Sequence, residues 1–213
     1  MSGESKVPKG EPSTRDRILI AAATMVSEDP GARFSVRAVA SRAGVSTGSL
    51  RHFFPTQRAL IDEVAAGITG LLVNESGIED TTVPAESRLL ACMQHVLSAT
   101  GNGEQARDTW RRVFDAYLGS ELSADAIDTY LAFSAAGLRR IEHWLDVLDK
   151  EGALPSGDNS QRAAYLNVVL DGLSVARALP TDSARIRSET EVLQHAVSML
   201  FHTDAPVPKG NSA

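Results

Sequence analysis

The chain has 213 residues, 43% of them hydrophobic, and a formal net charge of −6. That length suits one medium or two small domains around a packed core. A single cysteine, Cys92, excludes a disulfide framework within the chain, and no apolar run approaches the ~20 residues that cross a bilayer. The opening MSGESKVPKGEP is polar and lacks the apolar stretch of a signal peptide, so a cytoplasmic location is expected.

Residues 1–12 and 204–213, rich in Pro, Gly, Ser and Lys, read as loose tails. The first helix begins at Ser13, with Asp16 three residues on as its capping partner, and stops at Asp29-Pro30-Gly31. Ile18, Ala22, Met25 and Val26 form its inner face. The next stretch, residues 35–60, carries the most information. Ser35 is a good N-cap. Val36, Val39, Ala40 and Ala43 then recur at helical spacing, and Gly44 stands where a left-handed glycine ends a helix. Ser46 caps a second short helix whose Leu50 and Phe54 point inward together. Pro55 disfavours helix at Phe54 and closes the element. The outward face left over is Thr47, Gly48, Ser49, Arg51 and His52. Two short helices joined at a glycine turn, the second with a small polar and basic outer face, have the layout of a DNA-reading helix-turn-helix.

A fourth helix starts after Thr56 and runs to about Glu75. It turns Leu60, Ile61, Val64, Ile68, Leu71 and Leu72 inward, and a loop over 76–84 follows. Further helices are predicted over about 85–99, 104–118, 124–150, 160–178 and 184–202. The long third of these downstream elements, 124–150, carries a stripe of Ile127, Leu131, Leu138, Ile141, Leu145 and Leu148. Without β-alternation or repeats, the fold class is all-α with about nine helices. Charge is unevenly placed. Residues 1–62 hold nine Lys/Arg against six Asp/Glu, and the rest hold twelve against twenty-one, a mildly basic end on an acidic body.

The run Ala43-Gly44-Val45-Ser46, then Leu50 to Phe54 and Pro55, resembles the DNA-binding region of the tetracycline-repressor (TetR) family. The likeness covers about residues 14–62. Arg51 stands where the family often has Tyr, and Gln57 where it has Lys; both family positions usually touch phosphate. Arg51 can do that with more charge. Gln57 offers only a neutral hydrogen bond, and Arg58 beside it is a substitute. The Arg-His-Phe-Phe-Pro form is similar to a subgroup related to choline/betaine-type regulators.

The resemblance implies a DNA-binding domain at 13–56, and a helical effector-binding and dimerisation domain at 57–203. Thr47, Gly48 and Ser49 are small enough for close approach to the major groove, and Arg51 and His52 are the candidates for phosphate or guanine. Ser46 caps a helix N-terminus that attracts phosphate. Ser35, Arg37 and Arg42, with Gln57 and Arg58, are placed to hold the flanking backbone. The expected partner is a near-palindromic duplex bound by a homodimer.

The last two helices are apolar on two sides and must bury both. In the family they pair with their copies across a two-fold axis. Tyr165, Val169 and Leu173 on one, and Val192, Leu193, Ala196, Val197 and Leu200 on the other, are the interface candidates. A ligand site is sought among the large side chains of the body: Trp110, Phe114, Tyr117, Phe133 and Trp144, with Met93. Gln94, His95, Asn167 and Asp171 read as polar anchors within apolar surroundings, the composition a small-molecule pocket needs. A small, largely apolar effector that releases the protein from its operator follows from the resemblance.

The five histidines do not pair with other ligand residues at a persuasive metal spacing, and there is no phosphate-binding glycine loop or nucleophile elbow. Neither a cofactor, a metal nor an enzymatic activity is therefore expected. Cys92 lies with Leu89, Met93 and Val96 on an apolar face and reads as a buried small hydrophobe. The rival function is a helical small-molecule-binding protein or enzyme that keeps the helix-turn-helix shape without regulating DNA.

Overall fold

The computed structural model describes residues 12–29, 34–71, 77–118, 122–180 and 183–202. Among them are nine helices: α1 (Thr14–Glu28), α2 (Val36–Ala43), α3 (Thr47–Phe53), α4 (Gln57–Leu71), α5 (Ala85–Ala99), α6 (Gly103–Tyr117), α7 (Ala124–Lys150), α8 (Asn159–Ala178) and α9 (Ser183–Ser198). The described residues contain no strand. The expected tails lie outside the described residues except for Pro12, as do residues 72–75 at the end of the predicted fourth helix.

Three of the caps are those the sequence announces, and Ser123 at the start of α7 is a further one that the structure adds. Ser13 and Asp16 form a reciprocal capping box at the start of α1. Ser35 Oγ accepts from Ala38 N at 3.1 Å, Ser46 Oγ from Ser49 N at 3.0 Å, and Ser123 Oγ from Ala126 N at 3.1 Å. Gly44 sits at φ 65°, the left-handed conformation that ends α2.

Two apolar cores form. The first joins α1, α2 and α3 to the first half of α4 through Ile18, Phe34, Val39, Leu50, Phe54, Leu60 and Ile61, and it takes in Ala132 and Ala136 of α7. The second lies among α5, α7, α8 and α9, with Leu89, Met93, Trp144, Leu148, Leu166 and Val197 at its centre. α7 thus serves both cores, with a different face to each. Its predicted stripe holds in the C-terminal half, where Ile141, Leu145 and Leu148 are buried. In the N-terminal half Ile127 and Leu131 are 41% and 48% exposed, and Ala126, Thr129, Ala132 and Ala136 are buried in their place. Small side chains let α7 lie close along α4, whose Ala65 is fully buried; the bulky stripe would hold the two helices apart.

Two arginines tie the body. Arg88 of α5, buried, donates to the Ile78 carbonyl and to both carboxylate oxygens of Glu151 after α7. Arg177 of α8 pairs with Glu189 of α9 at 2.6 Å and donates to the Leu97 carbonyl at the end of α5. A cation at that helix C-terminus meets the negative end of the macrodipole.

Candidate nucleic-acid interface and body

α3 owes its position to packing on one face and exposure on the other. Leu50 is fully buried and Phe54 nearly so, which fixes the rotation of the helix. Thr47, Gly48, Arg51 and His52 are exposed and Ser49 is half-buried. Arg15 of α1 lies over the Phe54 ring at 5.6 Å and pairs with Glu63 of α4, joining α1 to the end of α3 and to α4. His52 stacks edge-on against Phe53 with ring centroids 5.2 Å apart. The turn before α3 is held by a residue that the sequence pattern did not single out. Arg17 of α1 donates to the carbonyls of Ala43 at 2.7 Å and Gly44 at 3.0 Å. Only its spacing from the turn across α1 would have signalled that role.

The predicted DNA-facing residues divide into two groups. Arg37, Thr47, Gly48, Arg51 and His52 lie exposed on α2 and α3, and the two arginines have no ion-pair partner among the described residues. Ser35 and Ser46 spend their oxygens as caps, which leaves each hydroxyl hydrogen free to donate. The others are engaged within the protein. Arg42 grips Glu28 through two hydrogen bonds of 2.6 Å, which hold the Glu28 carboxyl below its ordinary range. Gln57 donates to Asp125 at the start of α7 at 2.9 Å. Arg58 donates to Asp62 at 2.9 Å and lies 3.6 Å from Asp128 of α7. Gln57 and Arg58 are therefore turned to the body.

The ligand candidates are scattered. Trp144 and Met93 are fully buried in the second core, and the Trp144 indole nitrogen has no hydrogen-bond partner among the described residues. Gln94 and His95 are exposed, so the expectation that they are embedded in apolar surroundings is not met. The helical spacing is the reason: Leu89, Cys92, Met93 and Leu97 take the inner face of α5 and leave 94 and 95 outside. Cys92 is buried, and burial pushes its thiol up. Trp110, Phe114 and Tyr117 lie along α6, with Trp110 and Phe114 5.9 Å apart and Tyr117 5.3 Å from Tyr130 of α7. Phe133 is half-buried and packs against the first core. Asn167 donates to Asp171 at 3.0 Å on α8, and partial burial raises the Asp171 carboxyl above its usual range. Among the described residues no group of three or more His, Cys, Asp or Glu could hold a metal ion, and no helix is long and apolar enough to cross a membrane.

The dimer candidates also divide. Leu193, Ala196 and Val197 are buried within their own chain, which corrects their placement on an open surface. Val169, Leu173 and Leu200 are half-buried against the same core. The open apolar surface of this helix pair is Tyr165, Val168, Leu179, Val192 and Met199, each 41–70% exposed. Tyr165 Oη and Met199 Sδ are 3.9 Å apart, so α8 and α9 present one continuous face.

By sequence, residues 18–64 match the model of the bacterial regulatory proteins, tetR family. No curated protein matches the chain. Solved structures do. A Pseudomonas aeruginosa PAO1 protein described as a transcriptional regulator is 23% identical, with a TM-score of 0.53 over 90% of this chain and 92% of that one. A Rhodococcus sp. protein described as a TetR-family transcriptional regulator is 20% identical, with a TM-score of 0.51 over 89% and 98%. A Shewanella sp. PV-4 protein described as a tetR family transcription regulator is 14% identical, with a TM-score of 0.51 over 89% and 97%. At these identities the likeness is one of fold. Residues 18–64 thus match the tetR family of bacterial regulatory proteins, and the chain shares the fold of solved TetR-family transcriptional regulators.

Proposed function

We propose that this protein is a transcriptional regulator that binds a near-palindromic operator as a homodimer, acting as a repressor that a small ligand releases. The observation that carries the reading is the outer face of α3. Its inner face is locked by Leu50 and Phe54, while Thr47, Gly48, Arg51 and His52 stand exposed together. Gly48 has no Cβ to hold the helix off a groove floor. Arg51 supplies a planar fork suited to guanine or phosphate, and Arg37 is placed to hold the flanking backbone. Arg42 exchanges its surface partner Glu28 for phosphate at little cost, since such exposed pairs are weak. Gln57 and Arg58 are assigned instead to the junction of α4 with α7.

Dimerisation is assigned to the open face of α8 and α9, centred on Val168, Val192 and Met199. A two-fold pair then presents two equivalent α3 helices, which calls for two half-sites related by inversion. The effector is assigned to the α6–α8 side of the body, where Trp110, Phe114 and Phe133 supply apolar surface and the Asn167–Asp171 pair a polar anchor. It must bind the DNA-incompetent state more tightly than the competent one; equal affinity shifts nothing.

Selection of duplexes from a random pool tests the reading. The expected product is an inverted repeat whose binding weakens steeply with salt. Enrichment of no sequence, with a helical protein that still binds apolar ligands, favours the rival small-molecule-binding function.

A further inference from the structure

The seam between α4 and α7 holds a cavity of about 170 Å³, lined by Ala66 and Thr69 of α4 and by Ala136, Arg139, Arg140 and His143 of α7. Three nitrogen-rich side chains within two turns surround a space whose other walls are two alanines and a hydroxyl. Arg139 and His143 are exposed four residues apart, so their side chains share one face of α7. Neither has a hydrogen-bond or ion-pair partner among the described residues. The acids nearest in sequence are turned away from them. Glu142 accepts from Ser160, and Asp146 accepts from Asn159 Nδ2 at 2.9 Å, both on α8. Arg140 reaches across the seam to α4: a Cβ on Gly70 would stand 3.2 Å from its Nη2. Two arginines and a histidine side by side stand out in a body that is acidic overall.

We infer that this cavity is a binding site for a small oxyanion, a phosphate or carboxylate group that the Arg139 guanidinium, the His143 ring and the Thr69 hydroxyl hold together. A guanidinium offers two parallel N–H donors to such a group, and the charge-assisted bonds are among the stronger ones available to a protein. The volume admits one anionic group with a few waters. Thr69 lies on α4 and Arg139 and His143 on α7, so a bound anion bridges the helix that completes the first core to the helix that spans both. The site is separate from the aromatic region of α6 and from α3, and anion binding is measurable on the protein alone, whatever becomes of the DNA reading.

The test is calorimetric titration of the full-length protein with inorganic phosphate and, separately, with butyrate, at constant ionic strength set by chloride. Binding of one or both is expected, with a rise in melting temperature; the arm that binds more tightly identifies the anion class. The variant Arg139→Gln/His143→Gln should lose about tenfold or more in affinity. Arg111→Gln, which removes an exposed charge from α6 (Arg111 is 70% exposed in its side chain), should leave it unchanged. Ala66→Leu, at an exposed rim position, should block the cavity without touching a charge and keep the melting temperature of the unliganded protein. Absence of binding by both anions overturns the inference. So does an equal loss in Arg111→Gln, or full affinity in a folded Ala66→Leu.

Discussion

Gly44, which ends α2, and Gly48, in the first turn of α3, do opposite work. Gly44 is held at φ 65°, and a Cβ there would stand 3.0 Å from Arg17 Nη2. Gly44→Ala should therefore destabilise the protein by about 1–2 kcal/mol in chemical denaturation, from the left-handed conformation alone. Gly48 is ordinary helix, and its Cβ would meet nothing nearer than Ser46 Oγ at 3.8 Å. Gly48→Ala should stabilise the fold by up to about 1 kcal/mol, whereas Gly48→Leu should fold normally and lose operator affinity. A Gly48→Leu protein with undiminished operator affinity would remove α3 from the groove. Glu151 adds a pH dependence. Its hydrogen bonds from Arg88 hold the carboxyl below its ordinary value of 4.5. A depressed folded-state value stabilises the fold above that ordinary value, and the contribution is lost as pH falls through the lowered one. Glu151→Gln should be less stable than the parent at neutral pH, and the gap should close on acidification below the ordinary carboxylate range.

Within and between helices, local chemistry was legible in the sequence and the choice of packing face was not. The caps at Ser13, Ser35 and Ser46, the glycine at 44 and the bounds of α5, α7 and α8 were legible because they are local chemistry. Helical spacing alone could not tell which of two apolar faces meets a neighbour. On α7 it pointed to Ile127 and Leu131, yet the close approach of α4 selects the alanine face. On α9 it grouped Val192 with Leu193, Ala196 and Val197, although only the first is open. Long-range pairings were equally invisible: Gln57 with Asp125 spans 68 positions, and Arg17 with Ala43 spans 26. Three predictions belong here. Val168→Glu, on the open face of α8, should give soluble monomers in sedimentation. Val197→Glu should instead lower the melting temperature severely, since it buries an unpaired carboxylate in the second core, at a cost of several kcal/mol. A folded, dimeric Val168→Glu protein would move the interface elsewhere. Arg58→Gln should reduce operator affinity less than Arg51→Ala, because Arg58 is already held by Asp62 and Asp128.

For the whole molecule, function depends on how α4 links two cores. Its first half is part of the core that positions α3, and it packs along α7, which reaches into the second core. In the proposed dimer a change of angle at that seam would alter the separation of the two α3 helices, which operator half-sites would fix at about one duplex turn or a multiple. The net charge of −6 opposes DNA approach in general, so the proposed binding is assigned to the basic N-terminal face. The decisive measurement is a titration of the selected duplex with the parent protein and with Arg51→Ala across a salt series. Arg51→Ala should cost about 1–3 kcal/mol, and its salt slope should be shallower by about one unit per subunit if the guanidinium meets phosphate. Identical affinity and slope in the two proteins would contradict a DNA-reading role for this face of α3.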